Sequence, residues 1–200
     1  MLKSSKKFMP TYILIALNII VYVYTSIIGG DFVTTSRDAI WQYGQNNAFV
    51  LYHGGYWQLF TAIFVHVNII HLLGNMFFLL IFGLRAEEFF SIEEYLLIYF
   101  LSGLAGNLLT LLFGPEMISA GASGAIFGMF GACIIYVKRA FGQSIMSALI
   151  YAFFLLVVSS GPNVNNLAHL GGLAVGLLIG YALAVNRRMK LVNRYSYSYQ

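Results

Sequence analysis

The sequence predicts an all-α membrane protein with six transmembrane helices. Its 200 residues are 60% hydrophobic and only 9% charged, whereas an ordinary soluble domain carries about 25% charged residues. Residues 39–84 and residues 140–186 contain no Asp, Glu, Lys or Arg. Each of these runs is more than twice the ~20 residues that cross a bilayer as a helix. We therefore expect residues 1–200 to form a single membrane domain.

The apolar runs and the turn signals between them define the predicted segments. A full-length first run with no small-x-small cleavage site after it favours a retained helix over a signal peptide. The linker after it is rich in Trp and Tyr and poor in charge, which is typical of a segment in the lipid headgroup region. The predicted helices span about residues 11–28, 59–84, 95–113, 117–137, 144–158 and 165–185, with an outer loop at 29–58 and a polar cytoplasmic tail at 187–200.

The basic residues predict the orientation of these helices. Six spans place both termini on one side, and that side holds ten of the eleven Lys and Arg residues, with only Arg37 opposite. Loops rich in Lys and Arg stay cytoplasmic, so both termini should be cytoplasmic. Because the clusters flank apolar runs, lipid headgroups explain the net charge of +4 better than a nucleic-acid partner. The ten residues are Lys3, Lys6, Lys7, Arg85, Lys138, Arg139, Arg187, Arg188, Lys190 and Arg194.

Seven polar side chains fall inside or beside the predicted spans. Ionisable and strongly polar groups at membrane depth are costly, which makes them functional candidates. The alternative interpretation is that each forms a structural hydrogen bond to a neighbouring helix. The single cysteine, Cys133, excludes an intrachain disulfide and is predicted to serve packing. The seven are His66, His71 and Asn75 on helix two, Ser123 on helix four, and Asn165, Asn166 and His169 on helix six.

Ser123 and His169 are predicted to meet. Counted from the outer side, Ser123 lies about six residues into helix four and His169 about four into helix six, so a rise of 1.5 Å per residue puts them at similar depth. His169 shares a helix face with Gly172, Gly176 and Gly180, and helix four carries a matching stripe of Gly124, Gly128 and Gly131. Glycine stripes allow close helix approach, which would bring hydroxyl and imidazole within hydrogen-bond reach.

Helix two supplies further candidate donors. His71 and Asn75 share one face at i, i+4 spacing, and with the backbone N–H of Ser123 they are suited to hold an oxyanion. His66 lies about 140° round the helix from His71, so we expect it to hold the linker instead. A metal site of His66, His71 and His169 would lack a carboxylate or thiolate, and neither metal nor cofactor is expected.

The carboxylates also constrain the chemistry. All seven lie outside the apolar spans, so no buried Asp is available for a Ser-His-Asp triad. Hydrolysis would have to use a Ser–His dyad. In that case packing against Phe127, one turn from Ser123, would orient His169.

Three motifs resemble those of the rhomboid family of intramembrane serine proteases, in its six-helix bacterial-type form. Residues 121–124 (Gly-Ala-Ser-Gly) are similar to the GxSG nucleophile motif, residues 71–75 to HxxxN, and residues 168–176 to AHxxGxxxG. They occur in the family order, on helices two, four and six. Two positions depart from the family pattern: Gln58 stands where many members carry Arg, and Phe127 where Tyr is frequent.

The resemblance implies roles for these residues. Ser123 would be the nucleophile and His169 the general base, with His71, Asn75 and the Ser123 amide as the oxyanion hole. Gly121 and Gly124, which flank Ser123 in the motif, would support the nucleophile.

The resemblance also implies an activity and a location. The activity is cleavage of single-span membrane proteins near the outer end of their helix, in a multi-pass protein of the bacterial cytoplasmic membrane. The turn 159–163 is a candidate lid, and helix five, with Phe153 and Phe154, a candidate side gate. The expected partners are transmembrane substrates and lipids, and the oligomeric state stays open.

Two other classes of function compete with this interpretation. A non-catalytic rhomboid-like protein that binds membrane clients would lack the serine or histidine, and both are present here. A small transporter would more typically show intramembrane charges or inverted repeats, and neither is found in the sequence.

Overall fold

The computed structural model describes residues 10–140, 142, 144–161 and 164–197, with the backbone alone for Val158 and residues 188–197. This part of the chain is a bundle of helices with one short pair of strands. In chain order the elements are α1 (Pro10–Gly29), α2 (Arg37–Tyr43), β1 (Gln45–Asn46), α3 (Asn47–His53), α4 (Gln58–Thr61), α5 (Ile69–Phe89), α6 (Ile92–Thr110) with a 3₁₀ turn (Leu111–Phe113), β2 (Ile118–Ser119), α7 (Ser123–Ala140), α8 (Ile145–Val158) and α9 (Asn166–Tyr197).

Helix α7 lies at the centre of the bundle and packs against α5, α6, α8 and α9. Its small residues Ala125 and Ala132 and the side chain of Met129 are fully buried. Tyr95 and Tyr99 of α6 are also fully buried and belong to the same core cluster. The outward faces of α1, α5 and α8 carry exposed Ile, Leu and Phe, as expected where the surrounding solvent is lipid.

Four helices of the described chain are long and apolar enough to cross a membrane. They are Pro10–Gly29, Ile69–Phe89, Ile92–Phe113 and Asn166–Arg187. This confirms a multi-helix membrane protein. The apolar part of α8, Ile145–Val157, is shorter, and α7 has 18 residues, or about 27 Å. The six-span count and the cytoplasmic termini therefore stay predictions.

The predicted glycine contact between helices four and six is present in the structure. A Cβ placed at Gly172 or Gly176 of α9 would overlap the carbonyl oxygen of Gly124 or Gly128 on α7. Gly180 continues the stripe, where a Cβ would lie 2.5 Å from the carbonyl oxygen of Ala132. The backbones of α7 and α9 are thus in direct contact, which larger side chains would prevent.

The second long helix begins later than the sequence predicted. It was expected from about residue 59, but α5 begins at Ile69, where the side chain of Asn68 accepts a hydrogen bond from the backbone N–H of His71. The preceding residues are held by the loop instead: Thr35 N–H donates to the carbonyl of Val67, and Ile69 N–H donates to that of Val33. The uniform apolar character of residues 59–84 conceals this change of conformation.

Helix four also begins later, at Ser123 rather than near residue 117. Residues 118 and 119 form β2, which pairs antiparallel with β1 through Gln45 opposite Ser119. Gly121 follows with φ of 139°, a conformation that only glycine adopts readily and that ends the strand before the helix. Ser123 is therefore the first residue of its helix and not the sixth.

At its other end, α9 continues beyond the predicted boundary near residue 185 and runs to Tyr197. The predicted polar tail, residues 187–200, is thus helical as far as that residue. Lys3, Lys6 and Lys7, used in the orientation argument, lie outside the described residues, as do Pro162 and Asn163 of the candidate lid and the side chains of Arg188, Lys190 and Arg194.

The outer loop is a folded substructure anchored by Gln58. This side chain is 1% exposed. Its amide nitrogen donates to the carbonyls of Trp41 at 2.9 Å and Gln42 at 3.2 Å, and its amide oxygen accepts from Asn46 N–H at 2.9 Å. Gln58 therefore anchors α2 and β1 through its neutral amide, at the position where the sequence departs from the family pattern.

Candidate active site

Ser123 and His169 lie in hydrogen-bond contact. Ser123 Oγ is 2.9 Å from His169 Nε2, and His169 is 6% exposed. Ser123 opens α7 and His169 lies in the first turn of α9, so the close contact of these helices sets the distance. The expected meeting of the two side chains is observed, although through a helix start rather than through the predicted depth in helix four.

The ring of His169 is held by stacking. The phenyl ring of Phe127 lies 4.3 Å from the imidazole, centre to centre, at an interplanar angle of 19°. The other ring nitrogen, Nδ1, is buried and has no hydrogen-bond partner among the described residues. An aromatic face therefore holds this imidazole, and no carboxylate bonds to Nδ1 in the described chain. The predicted contact with Phe127 is present.

His71 lies beside the loop that precedes Ser123. A Cβ on Gly121 would lie 2.8 Å from Cε1 and 3.0 Å from Nε2 of His71, and 3.8 Å from Ser123 Oγ. Two features therefore require glycine at position 121: the positive φ of its backbone, and the His71 ring that occupies the space a side chain would need. Gly121 N–H donates to the carbonyl of Ala62 at 2.9 Å, which fixes this loop. The Cε1–Nε2 edge of His71 and the hydroxyl of Ser123 thus both border the position that a Gly121 side chain would occupy.

The other two predicted donors differ in their availability. As the first residue of α7, Ser123 has a backbone N–H with no acceptor inside the helix. Asn75 is 6% exposed and lies one turn after His71, but its Nδ2 donates to the carbonyl of His71 at 2.9 Å. One N–H of the Asn75 amide is thus engaged by its own helix, which leaves the second for another acceptor.

His66 precedes α5 and does not lie on it, so the predicted angle of 140° from His71 is wrong. The two imidazoles pack edge to face with centres 5.3 Å apart at 67°. His66 Nδ1 contacts the carbonyl of Phe64 at 3.3 Å, and the backbone carbonyl of His66 accepts from Thr35 Oγ1 at 2.6 Å. The residue therefore ties the loop to the start of α5, as expected, but mainly through its backbone.

The electrostatics of His66 follow from burial. The side chain is fully buried and lies outside the spanning part of α5. Loss of solvation, followed by the nearby His71, lowers the pKa of His66 to about 3. His66 is therefore neutral at physiological pH. Nε2, the ring nitrogen remote from Phe64, is buried with no partner among the described residues.

Two further residues shape the site, and one was not predicted. Asn68 caps α5 by accepting from the backbone N–H of His71 at 2.7 Å. The signal was present in the sequence, as an Asn directly before an apolar run is a common helix cap. Gly124, predicted as a supporting residue, faces the carbonyl of Ala168, which would lie 3.1 Å from a Cβ at that position.

No metal ligand cluster is found in the described part of the chain. His66, His71 and His169 do not form a group with other His, Cys, Asp or Glu side chains that could hold an ion there. Cys133 is buried, with its thiol 3.9 Å from the carbonyl of Phe82. Its position agrees with the predicted packing role.

Comparison with known proteins identifies the family. The Rhomboid domain family model matches residues 53–186. "Rhomboid protease GluP" of Bacillus subtilis is 32% identical over 184 residues, covering 88% of this chain and 35% of the relative. "RHOMBOID-like protein 6, mitochondrial" of Arabidopsis thaliana is 39% identical over 133 residues, covering 64% of this chain and 43% of the relative. "Rhomboid-like protease 3" of Toxoplasma gondii is 35% identical over 134 residues, covering 62% and 50%.

The chain belongs to the rhomboid family. The matched region contains all three motifs and every residue of the candidate site. The chain spans about a third to a half of the length of these curated relatives.

Proposed function

We propose that this protein is an intramembrane serine endopeptidase that cleaves single-span membrane proteins near the outer end of their transmembrane helix. The observation that carries the proposal is the 2.9 Å contact between Ser123 Oγ and His169 Nε2 in a buried position. A hydroxyl is a weak nucleophile until a base within hydrogen-bond reach takes its proton. The name of the Bacillus relative, a rhomboid protease, supports the same reaction class.

The chemistry follows from the atoms that lie together. Ser123 Oγ attacks the carbonyl carbon of the scissile peptide bond while its proton passes to His169 Nε2. When the C–N bond breaks, His169 returns that proton to the leaving amine, and the acyl group stays on Ser123. A water molecule then attacks the ester with His169 again as base, releasing the acid and restoring the hydroxyl.

Negative charge develops on the substrate carbonyl oxygen during both steps. The Ser123 N–H at the start of α7, the edge of His71 and the second N–H of Asn75 supply the stabilising donors. Losing one such donor typically costs about 2.7–4 kcal/mol of transition-state stabilisation. Gly121 keeps the space in which His71 approaches Ser123.

Phe127 takes over the positioning that a carboxylate performs in a triad. In a triad the carboxylate holds the imidazole by a bond to Nδ1. Here Nδ1 has no partner among the described residues, and the ring is fixed by its stack on Phe127. Such aromatic pairs are worth about 0.5–1.5 kcal/mol beyond the area that they bury.

Helix α8 is the proposed route of entry for substrates. The buried side chains of its described part are two alanines, Ala148 and Ala152, with Leu155 and Leu156 packed partly buried beside them, whereas Phe153 and Phe154 are about two-thirds exposed. Small side chains give a shallow interface that separates at low cost. Cross-linking α8 to α5 should therefore block cleavage of membrane substrates, and undiminished cleavage would discard the gate.

The proposed setting is a cell membrane, specifically a bacterial cytoplasmic membrane, with both termini in the cytoplasm. The asymmetric distribution of Lys and Arg supports this orientation. Reporter fusions that are active only in the cytoplasm should work at both ends of the chain. Activity at one end alone would refute six spans with this orientation.

The nucleophile is tested first with a fluorophosphonate probe, which reacts with activated serines. The purified protein in detergent should be labelled, and Ser123→Ala and His169→Ala should each reduce labelling by at least ~10³-fold. Ser147→Ala is the matched control, because Ser147 is a partly exposed serine of α8 whose hydroxyl donates to the carbonyl of Ser144. Equal labelling of wild type and Ser123→Ala would refute the nucleophile.

The substrate class is tested in membranes. The reconstituted protein is incubated with single-span proteins, and the cut is mapped by mass spectrometry. Cleavage should occur near one end of the span and disappear in Ser123→Ala. Capture of these clients without cleavage, unchanged in Ser123→Ala, would instead establish the alternative of a non-catalytic client-binding protein.

A further inference from the structure

The side chain of Asn165, just before α9, bonds to the end of β2 and to the end of α6. Its Nδ2 donates to Ser119 Oγ at 2.7 Å and to Thr110 Oγ1 at 2.8 Å. Ser119 ends β2, four residues before Ser123, and Thr110 ends α6. Both N–H groups of one amide are thus used to hold two different elements.

The acceptor groups of Asn165 hold the first turn of α9. Its side-chain Oδ1 accepts a hydrogen bond from the backbone N–H of Ala168 at 2.9 Å. Its backbone carbonyl accepts one from the backbone N–H of His169 at 3.2 Å. The capping side chain therefore fixes the turn from which His169 projects. Few other side chains could do both tasks, because a cap needs an acceptor and this cross-link needs two donors.

The hydrogen bond between Asn165 and Ser119 lies close to both Ser123 and His169 in the chain. Asn165 lies four residues before His169, and Ser119 lies four residues before Ser123. The bond between them spans the gap between the two chain segments just before each reacting side chain. Losing this bond would free the segment before Ser123 to shift relative to the turn that carries His169, while Gly121 N–H keeps its separate bond to the carbonyl of Ala62.

We infer that Asn165 is a positioning residue for the reaction, which acts through Ser119 to hold Ser123 and His169 at the right distance. This inference rests on the proposed function. It does not touch the reacting atoms. Its contribution should fall on the rate of the chemical step rather than on substrate binding. Misplacement of a catalytic group by about 1 Å can reduce the rate about 10²-fold.

The decisive variant is Asn165→Ser, because Ser caps helices about as well as Asn but is too short to reach Ser119 and Thr110. We expect kcat for a single-span substrate to fall about 10-fold or more, by the same positioning argument, with KM unchanged. Ser119→Ala, which keeps the cap entirely, should reproduce the loss. The double variant should be no slower than either single variant.

The matched control is Asn166→Ala. Asn166 is the neighbouring, exposed residue, and it bonds to Ser160 Oγ at 3.1 Å rather than to β2 or α6. This variant should keep kcat and KM. A merely structural role for Asn165 predicts a lower melting temperature with unchanged kcat at low temperature, and that result would overturn the inference. Additive losses in the double variant would overturn it as well.

A spectroscopic readout separates this inference from the proposed function. The ¹⁵N resonance of His169 Nε2 reports its hydrogen bond to Ser123 without any turnover. Asn165→Ser should shift this resonance toward its position in Ser123→Ala, and Asn166→Ala should leave it in place. A wild-type protein that neither labels nor cleaves would refute the proposed function alone, whereas an unshifted resonance in Asn165→Ser would refute the positioning role.

Discussion

The phenyl ring of Phe127 lies almost parallel to the imidazole of His169, with 4.3 Å between the ring centres and 19° between the planes. The two residues come from α7 and α9, whose backbones touch along the glycine stripes. In the described chain this stack is the contact that fixes the imidazole plane, since Nδ1 has no hydrogen-bond partner there.

Replacing Phe127 should therefore affect turnover more than folding. Phe127→Leu keeps an apolar side chain of similar volume but removes the flat face, so His169 can rotate away from Ser123. We expect fluorophosphonate labelling to slow about 10-fold, which corresponds to the ~1.4 kcal/mol at the upper end for an aromatic pair. Phe127→Tyr keeps the ring and should label at close to the wild-type rate.

Phe130→Leu provides the control for that experiment. Phe130 lies on the same helix, and its ring packs against Phe82 with centres 5.1 Å apart. This substitution removes an aromatic contact of the bundle without touching His169. If it slows labelling as much as Phe127→Leu, the effect is general loosening of α7 and the orienting role of Phe127 is refuted.

Gln58 should be essential to the stability of the outer loop. Gln58→Ala leaves the buried N–H of Asn46 without its partner, which costs about 1–3 kcal/mol, and also removes the part-buried bond to the carbonyl of Trp41. We expect the melting temperature in detergent to fall by several degrees. Gln58→Glu keeps the acceptor for Asn46 but loses both donated bonds and places a buried carboxylate against the carbonyl oxygens of Trp41 and Gln42, so it should melt no higher than Gln58→Ala.

The exposed Gln42 offers the comparison. In contrast to Gln58, its side chain is exposed, and its backbone carbonyl alone takes part in the network. Gln42→Ala should leave the melting temperature unchanged. If Gln58→Ala has the same melting temperature as wild type, the loop is held by its apolar contacts rather than by this amide.

The sequence predicted the helices and the contact between Ser123 and His169 because both depend on features with a clear pattern. Uncharged runs of spanning length mark helices, and the glycine stripes beside Ser123 and His169 mark the faces that meet. The first residues of the helices were harder to predict from the sequence. Residues 59–68 and 117–122 are as apolar as the helices that follow them, so hydropathy cannot show that they form a short helix, turns and a strand.

The hydrogen bonds of Asn165 and Gln58 join parts of the chain that are far apart in sequence. Asn165 bonds to Thr110 and Ser119, which are 55 and 46 residues away. Gln58 is bonded to residues 12 to 17 positions away in the loop. Neither set of partners follows from local pattern, because an amide side chain can bond to any backbone group that the fold brings near.

Gly176 should tolerate no side chain. A Cβ there would overlap the carbonyl oxygen of Gly128, so Gly176→Ala must push α9 away from α7. Overpacking of this kind typically costs about 1–3 kcal/mol. We expect both a lower stability to denaturing detergent and slower labelling of Ser123, since the same contact sets the distance to His169.

Gly74→Ala is the matched substitution in an open position. Gly74 lies within α5, and a Cβ there would meet nothing within 4 Å. Because Ala favours a helix over Gly by about 1 kcal/mol, this variant should be as stable as wild type or more so. Equal destabilisation by the two substitutions would show that backbone flexibility, rather than the α7–α9 contact, explains the effect of Gly176→Ala.

His66 should make the fold sensitive to acid. Burial lowers its pKa to about 3, whereas in the unfolded chain it titrates near its ordinary value of about 6.5. Between these pH values the unfolded state binds more protons than the folded state, so the free energy of unfolding decreases as the pH falls through this range.

His66→Asn removes the titrating group, so the free energy of unfolding should depend less steeply on pH, by the equivalent of up to one proton. The measurement is unfolding by denaturing detergent at several pH values from 7 to 4, with the exposed His53→Asn following wild type as control. Equal acid sensitivity of His66→Asn and wild type would show that other groups carry the effect.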